Sequence, residues 1–221
     1  SAASDVYKRQ DVGCWHVPNR FFEEMRNAGI EVRSFLKVRF PLFTSRVNYR
    51  NHRKIVVIDG RIGFVGGMNL AERYMRGFSW GIWRDTHILI EGKAVHGLQT
   101  AFLLDWYFVD RTLITASRYF PKIESCGSSL VQVVTSEPIG PWKEIMQGLT
   151  MAINGAKKYF YMQTPYFLPT EQVLAAMQTA ALAGVDVRLM LPERADNRIT
   201  HLGSHSCLLY TSDAADDLTR V

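Results

Sequence analysis

The chain has 221 residues, of which 47% are hydrophobic, and a formal charge of +5 at pH 7. That much apolar material excludes wholesale disorder, while apolar runs such as Ile55–Ile58 are far too short to span a bilayer. The positive balance suits an anionic partner without choosing among nucleic acid, phosphorylated metabolite and anionic lipid.

Residues 1–10 read SAASDVYKRQ, and Cys207 to Asp216 read CLLYTSDAAD. One DNA string, translated in opposite orientations, encodes both stretches, as a transposon-type sequencing adapter would. Residues 1–10 and 207–221 are therefore expected to be adapter-like artefact, poorly packed and outside fold reasoning. The natural part is expected to run over 11–206, cut at both ends, with no signal-peptide pattern at its start. The two tails carry a net charge of −1, which leaves +6 on that part. Cys14, Cys126 and Cys207 are odd in number and widely spaced. They argue against a disulfide framework or a zinc cluster, and no metal or cofactor is expected.

Phe21 to Ala28 has helical spacing, and Gly29 stands where a helix stops. Ile30 to Phe35 alternates like a strand. Ile55–Ile58 and Ile62–Val65 read as two strands joined at Asp59-Gly60, the strongest short hairpin signal. Trp83 to His87 followed by Ile88 to Gly92 reads as a strand ending in a turn, and Ala94 to Tyr107 as a long helix. Residues 111–129 read as a linker, Leu130 to Thr135 as a strand, and Trp142 to Gly155 as a helix. Tyr159 to Gln163 is a strand, Val173 to Ala183 a helix stopped by Gly184, and Val185 to Leu191 a buried strand. The helix–Ala-Gly–strand pattern thus occurs twice. The fold class expected is α/β, a mixed β-sheet flanked by helices, in two related half-domains, both incomplete, covering 11–125 and 126–206. The Ile55–Ile58 strand, apolar on both faces, is placed near the sheet centre.

The chemistry-bearing stretch is Asn51 to Asn69, NHRKIVVIDGRIGFVGGMN. With Asp59 and Gly60 as the two turn residues, Ile58 would pair with Arg61 and His52 with Gly67. His52 and Lys54, two apart, share a face, and Asn69 falls at the same open end with the same parity. Gly66 and Gly67 would leave space for a phosphate over the histidine. A neutral imidazole can attack phosphorus without a metal. Lys54 and Asn69 can donate to phosphate oxygens as charge develops, and a general acid must protonate the leaving alkoxide. Asp59 lies seven residues from His52, on the order of 20 Å in extended chain, so geometry makes it a turn and support residue. The candidate catalytic set is His52, Lys54 and Asp59, with Asn69 and Gly67 on the substrate phosphate.

The pattern His52-x-Lys54-x4-Asp59 followed by Gly66-Gly67-x-Asn69 resembles the phospholipase D superfamily. Asn51-His52-Arg53-Lys54, Trp83-Arg84-Asp85-Thr86-His87, Asp105-Trp106, Gln163-Thr164-Pro165-Tyr166-Phe167 and Gly184-Val185-Asp186-Val187-Arg188 resemble the bacterial cardiolipin synthases within it. The likeness covers nearly all of 11–206. It implies transfer of a phosphatidyl group between two phosphatidylglycerols through a phosphohistidine, with His52 as either nucleophile or general acid. It implies anionic phospholipid (phosphatidylglycerol) and a membrane surface as partners, no nucleic acid, and no cofactor. It implies a second His-Lys-Asp motif in the same protein, a few tens of residues beyond 206. It also implies a bacterial cytoplasmic (inner) membrane location through anchors absent from this piece. Tyr166 and Phe167 would sit on the active-site rim, or else in the core, and His87 reads as a packing residue. Two other readings compete. One is a single-motif nuclease or phosphodiesterase acting as a dimer, and the other is a non-catalytic module of the same fold.

Overall fold

The computed structural model describes residues 17–33, 51–77, 81, 84–137 and 140–192. The tails at 1–10 and 207–221, Cys14 and the end of the Ile30–Phe35 stretch lie outside the described residues. The chain divides into two compact units between Val133 and Val134.

In the first unit, α1 (Asn19–Asn27) ends as expected. Gly29 takes φ +81, and its N–H and that of Ile30 bond to the carbonyls of Arg26 and Met25. The strand expected after it does not form over Ile30–Arg33, which is irregular. Three antiparallel strands follow, β1 (Ile55–Ile58), β2 (Ile62–Gly66) and β3 (His87–Glu91), in the order β1-β2-β3. A single helical turn, α2 (Arg73–Arg76), lies between β2 and β3. Among the described residues β1 is therefore an edge strand, not the central one. Its burial alternates, with Val56 and Ile58 exposed and Ile55 and Val57 partly covered.

The covered face looks at α3 (Val95–Asp110). Val95 and Leu98 are fully buried there, beneath Gly63 of β2. A Cβ on Gly63 would stand 2.7 Å from the Leu98 side chain, so the glycine is what lets the helix seat on the strand. Leu98→Ala would open a void at that seat. It is expected to lower unfolding stability by about 2–5 kcal/mol, read as a fall in the urea midpoint. A change under about 0.5 kcal/mol would show that α3 is not seated through Leu98.

The stretch 111–129 is not a free linker. Gly60 is buried under it, and a Cβ there would meet the Pro121 ring at 2.6 Å and the Tyr119 carbonyl at 2.7 Å. His96 Nε2 bonds the Pro121 carbonyl at 3.1 Å, and its ring meets Phe120 edge-on. Leu130 to Thr135 is extended without a strand partner among the described residues. Within it Val133 is half-buried, against Gly97 of α3, and the other residues are exposed. Cys126 is a free, exposed thiol.

The second unit holds α4 (Glu144–Gly155), β4 (Tyr159–Gln163), α5 (Glu171–Leu182) and β5 (Asp186–Met190). β4 and β5 run parallel, with α5 as the crossover. Thr170 caps α5 by accepting from the Val173 N–H, and Gly184 at φ +86 stops it as Gly29 stops α1. Ile153, Phe167, Val173, Ala176, Met177, Ala180 and Val185 form the core, with Phe160, Met162, Val187 and Leu189 packed on it. The outer sheet face carries Tyr161, Asp186 and Arg188. The Tyr161 hydroxyl donates to Asp186 at 2.7 Å, and the Arg188 guanidinium bonds Asp186 and lies over the Tyr161 ring. Arg188 first, and then Tyr161, hold the Asp186 carboxyl below its ordinary pKa, while Asp186 raises that of Tyr161.

Candidate active site

The site is built on the β1–β2 hairpin. Asp59 and Gly60 both take the left-handed region, φ +52 and +66, and the Arg61 N–H closes the turn on the Ile58 carbonyl at 2.9 Å. This is the geometry an Asp-Gly pair favours. The ladder resumes one residue later than expected, with Ile58 opposite Ile62 and Ile55 opposite Val65. Arg61 is the additional residue. Carried further along the chain, this register puts His52 opposite Met68, not Gly67, and moves Asn69 to the other side-chain parity. The ladder alone therefore does not give His52 and Asn69 a common face. Asp59 sits at the turn, exposed, at the far end of the hairpin from His52.

His52 is exposed just before β1, and the Lys54 ammonium donates to the His52 carbonyl at 2.7 Å. The residues on either side of His52 are held from below by α3. Asn51 Nδ2 donates to Asp105 Oδ2 at 3.0 Å, and Arg53 Nη1 donates to Asp105 Oδ1 at 2.6 Å. The Arg53 backbone N–H closes the ring on Asn51 Oδ1 at 2.9 Å. Next to Asp105, Trp106 is buried, and the Arg33 guanidinium lies 5.0 Å from its ring centre. Arg33 also bonds Asp110. That contact first, and then Thr112, hold the Asp110 carboxyl below its ordinary pKa.

Gly66 and Gly67 make room for a neighbour other than the one expected. A Cβ on Gly66 would meet the Thr86 carbonyl at 2.4 Å and His87 Cα at 2.6 Å. One on Gly67 would meet the Asp85 carboxylate at 2.1 Å. The glycines thus let β3 and the residues before it approach, rather than opening space for a phosphate. Asp85 Oδ1 accepts from the Thr86 N–H at 2.9 Å, and its Oδ2 accepts from the Tyr74 hydroxyl at 3.4 Å. The Asn69 amide donates to that same hydroxyl at 3.2 Å. Asn69, Tyr74 and Asp85 form one chain of contacts. Asn51, Arg53 and Asp105 form another, separate from the bond of Lys54 to the His52 carbonyl.

His87 belongs to β3, and its Nδ1 is buried without a hydrogen-bond partner. Phe167 is a core residue of the second unit, 4% exposed, whereas Tyr166 is exposed and its carbonyl accepts from the Thr164 hydroxyl. Among the described residues no cluster of His, Cys, Asp and Glu could hold a metal ion. Reasoning from sequence missed Asp105 and Tyr74 as partners of the motif. Besides its place in the Asp105-Trp106 motif, the signal available for Asp105 was its spacing of seven from Leu98, two helical turns along the same face.

A hairpin that carries a His-x-Lys pair with its histidine exposed, and Gly-Gly-x-Asn at the end of its second strand, defines a phospholipase D-like domain. Residues 5–106 and 149–215 match the family described as cardiolipin synthase, PLD-like domain, and the chain belongs to that family. It is 42% identical over 198 residues to a protein named cardiolipin synthase from Geobacillus thermodenitrificans (strain NG80-2), covering 88% of this chain and 39% of that protein. It is 42% identical over 184 residues to a cardiolipin synthase from Listeria innocua, covering 82% of this chain and 38% of that protein. It is 40% identical over 198 residues to cardiolipin synthase 2 from Bacillus cereus, with 88% and 38% covered. The chain thus spans about two fifths of the length of these relatives.

Proposed function

We propose that this chain is the part of a bacterial phosphatidyltransferase that carries one of two His-Lys motifs, and that the whole protein makes cardiolipin from two phosphatidylglycerols. The observation that carries this reading is the exposed His52 with half-buried Lys54 beside it at the hairpin, in a chain of the cardiolipin synthase family. In the first step a histidine nitrogen attacks the phosphorus of phosphatidylglycerol. A P–N bond forms, the bond to the glycerol oxygen breaks, and the other histidine protonates that oxygen. In the second step a hydroxyl of another phosphatidylglycerol attacks the phosphohistidine and loses its proton to the same general acid, now acting as a base. The P–N bond breaks, and cardiolipin and glycerol result. Lys54 and Asn69 donate to the phosphate oxygens in both steps.

Two stretches match one family description, on either side of the boundary between the units, which supports two related half-domains. The second motif then lies outside this chain, and the chain alone is inactive. No described helix is long and apolar enough to cross a membrane, and the reading of a bacterial inner-membrane location rests on the family. Tyr166 remains the candidate for the rim of the completed site.

The test uses the uncut reading frame. A second His-x-Lys motif downstream is expected, and its absence would sink the transferase reading. The full-length protein in phosphatidylglycerol vesicles should release cardiolipin and glycerol. Phosphatidic acid as sole product would make it a hydrolase.

A further inference from the structure

We infer that Asp105 is a positioning residue for His52, holding the backbone on both sides of the histidine through Asn51 and Arg53. The inference rests on the reading of His52 as a reacting group and deepens it.

The geometry starts at the seat of α3. Val57 pairs with Gly63, and Gly63 rests on Leu98, so this face of the hairpin looks at the helix. Alternation along the strand carries the same face from Val57 back to Arg53 and Asn51. On the helix, Asp105 lies two turns beyond Leu98, about 10 Å along the axis and on the same side. Four extended residues, Val57 to Arg53, cover about 13 Å. Helix and strand therefore bring the carboxylate to the two residues that flank His52.

Each oxygen of Asp105 takes a different neighbour, Arg53 on Oδ1 and Asn51 on Oδ2. The Arg53 N–H then bonds Asn51 Oδ1, so three residues form a closed ring around the peptide units of His52. The Asp105 and Arg53 side chains are only 15% and 22% exposed, which strengthens a charge-assisted pair relative to one in open solvent. None of these bonds takes up the imidazole, and His52 itself stays exposed. The irregular stretch before β1 has no ladder of its own to fix it. Without the ring, the imidazole would be free to shift relative to the phosphorus. A misplacement of about 1 Å is enough to cost on the order of 10²-fold in rate.

The test is made in the full-length protein with phosphatidylglycerol vesicles. Asp105→Asn keeps an acceptor for one neighbour only. It is expected to lower kcat on the order of 10²-fold and to leave KM within about twofold, because phosphate binding falls to other residues. Asn51→Ala, which removes one arm and leaves the Arg53–Asp105 pair, should lower kcat less and serves if Asp105→Asn does not fold. Adding Asp105→Ala to Asn51→Ala/Arg53→Ala should cost nothing more, since members of one ring are not additive. A residue that only supports the fold would instead lower the melting temperature and leave kcat per folded molecule unchanged. Wild-type kcat in a folded Asp105→Asn, or additive losses in the triple variant, overturns the inference. A wild-type parent that hydrolyses phosphatidylglycerol without transfer refutes the transferase reading alone, and Asp105 is then read on hydrolysis. A wild-type parent inert to phosphodiesters overturns both.

Discussion

His52→Ala in the full-length protein is expected to abolish phosphatidyl transfer, and the size of the loss identifies the step that His52 serves. A histidine that carries the phosphatidyl group has no substitute. Losses of about 10⁴ to 10⁶-fold in kcat follow when such a group is removed, and a better leaving group does not restore the rate. A histidine that only protonates the departing glycerol contributes about 10² to 10⁴-fold. In that case a phosphatidyl ester of p-nitrophenol, which leaves without a proton, should recover most of the lost rate. The exposed position of His52 and its neighbour Lys54 suit either role. A loss below about tenfold, with the glycerol ester as substrate, would remove His52 from the chemistry altogether. Trapping the covalent intermediate by rapid denaturation at alkaline pH, where a P–N bond survives, gives a second readout. It should vanish in the variant if His52 is the nucleophile and persist if it is the acid.

The features legible in the sequence were those fixed by short-range backbone chemistry. Gly29 and Gly184 stop their helices because a left-handed residue lets the next N–H groups reach back to the final carbonyls. Asp59-Gly60 forms the turn because both residues tolerate positive φ. The register was not legible, since nothing in the local pattern marks Arg61 as an additional residue in the loop. Leu130–Thr135 has the composition of a strand, but β-propensity describes a surface that fits neighbours, and here the neighbour is Gly97 on a helix. Likewise 111–129 has the composition of a linker. It packs because Gly60 leaves Pro121 a place to sit. The motif residues were found by pattern alone. Their supports were not, because Asp105 is 52 residues from Arg53 in the chain and meets it only through the seating of α3.

Gly66→Ala and Gly67→Ala should differ sharply although the residues are adjacent. At Gly66 the added methyl meets backbone, the Thr86 carbonyl at 2.4 Å and His87 Cα at 2.6 Å, and the Gly66–His87 pair is itself the last rung between β2 and β3. Relief requires the strands to separate. The cost should reach the upper end of the range for overpacking, about 3 kcal/mol, with loss of ordered β3. At Gly67 the nearest atoms all belong to the Asp85 carboxylate, at 2.1, 2.7 and 2.8 Å. A side-chain end can rotate away, so the Gly67→Ala protein should fold with a smaller loss. Moving Asp85 breaks its bond from the Tyr74 hydroxyl, the same hydroxyl that holds Asn69. Activity should therefore fall more than stability does, with KM rising as Asn69 loses its fixed position. Combining Gly67→Ala with Asp85→Ala removes the clash, and the melting temperature should return to that of Asp85→Ala alone. Equal destabilisation by the two alanines would show that the Gly67 backbone, not the Asp85 side chain, has to yield. So would a double variant no more stable than the sum of its parts. The contact between the Gly-Gly-x-Asn turn and Asp85 would then be a matter of strand packing rather than of placing Asn69.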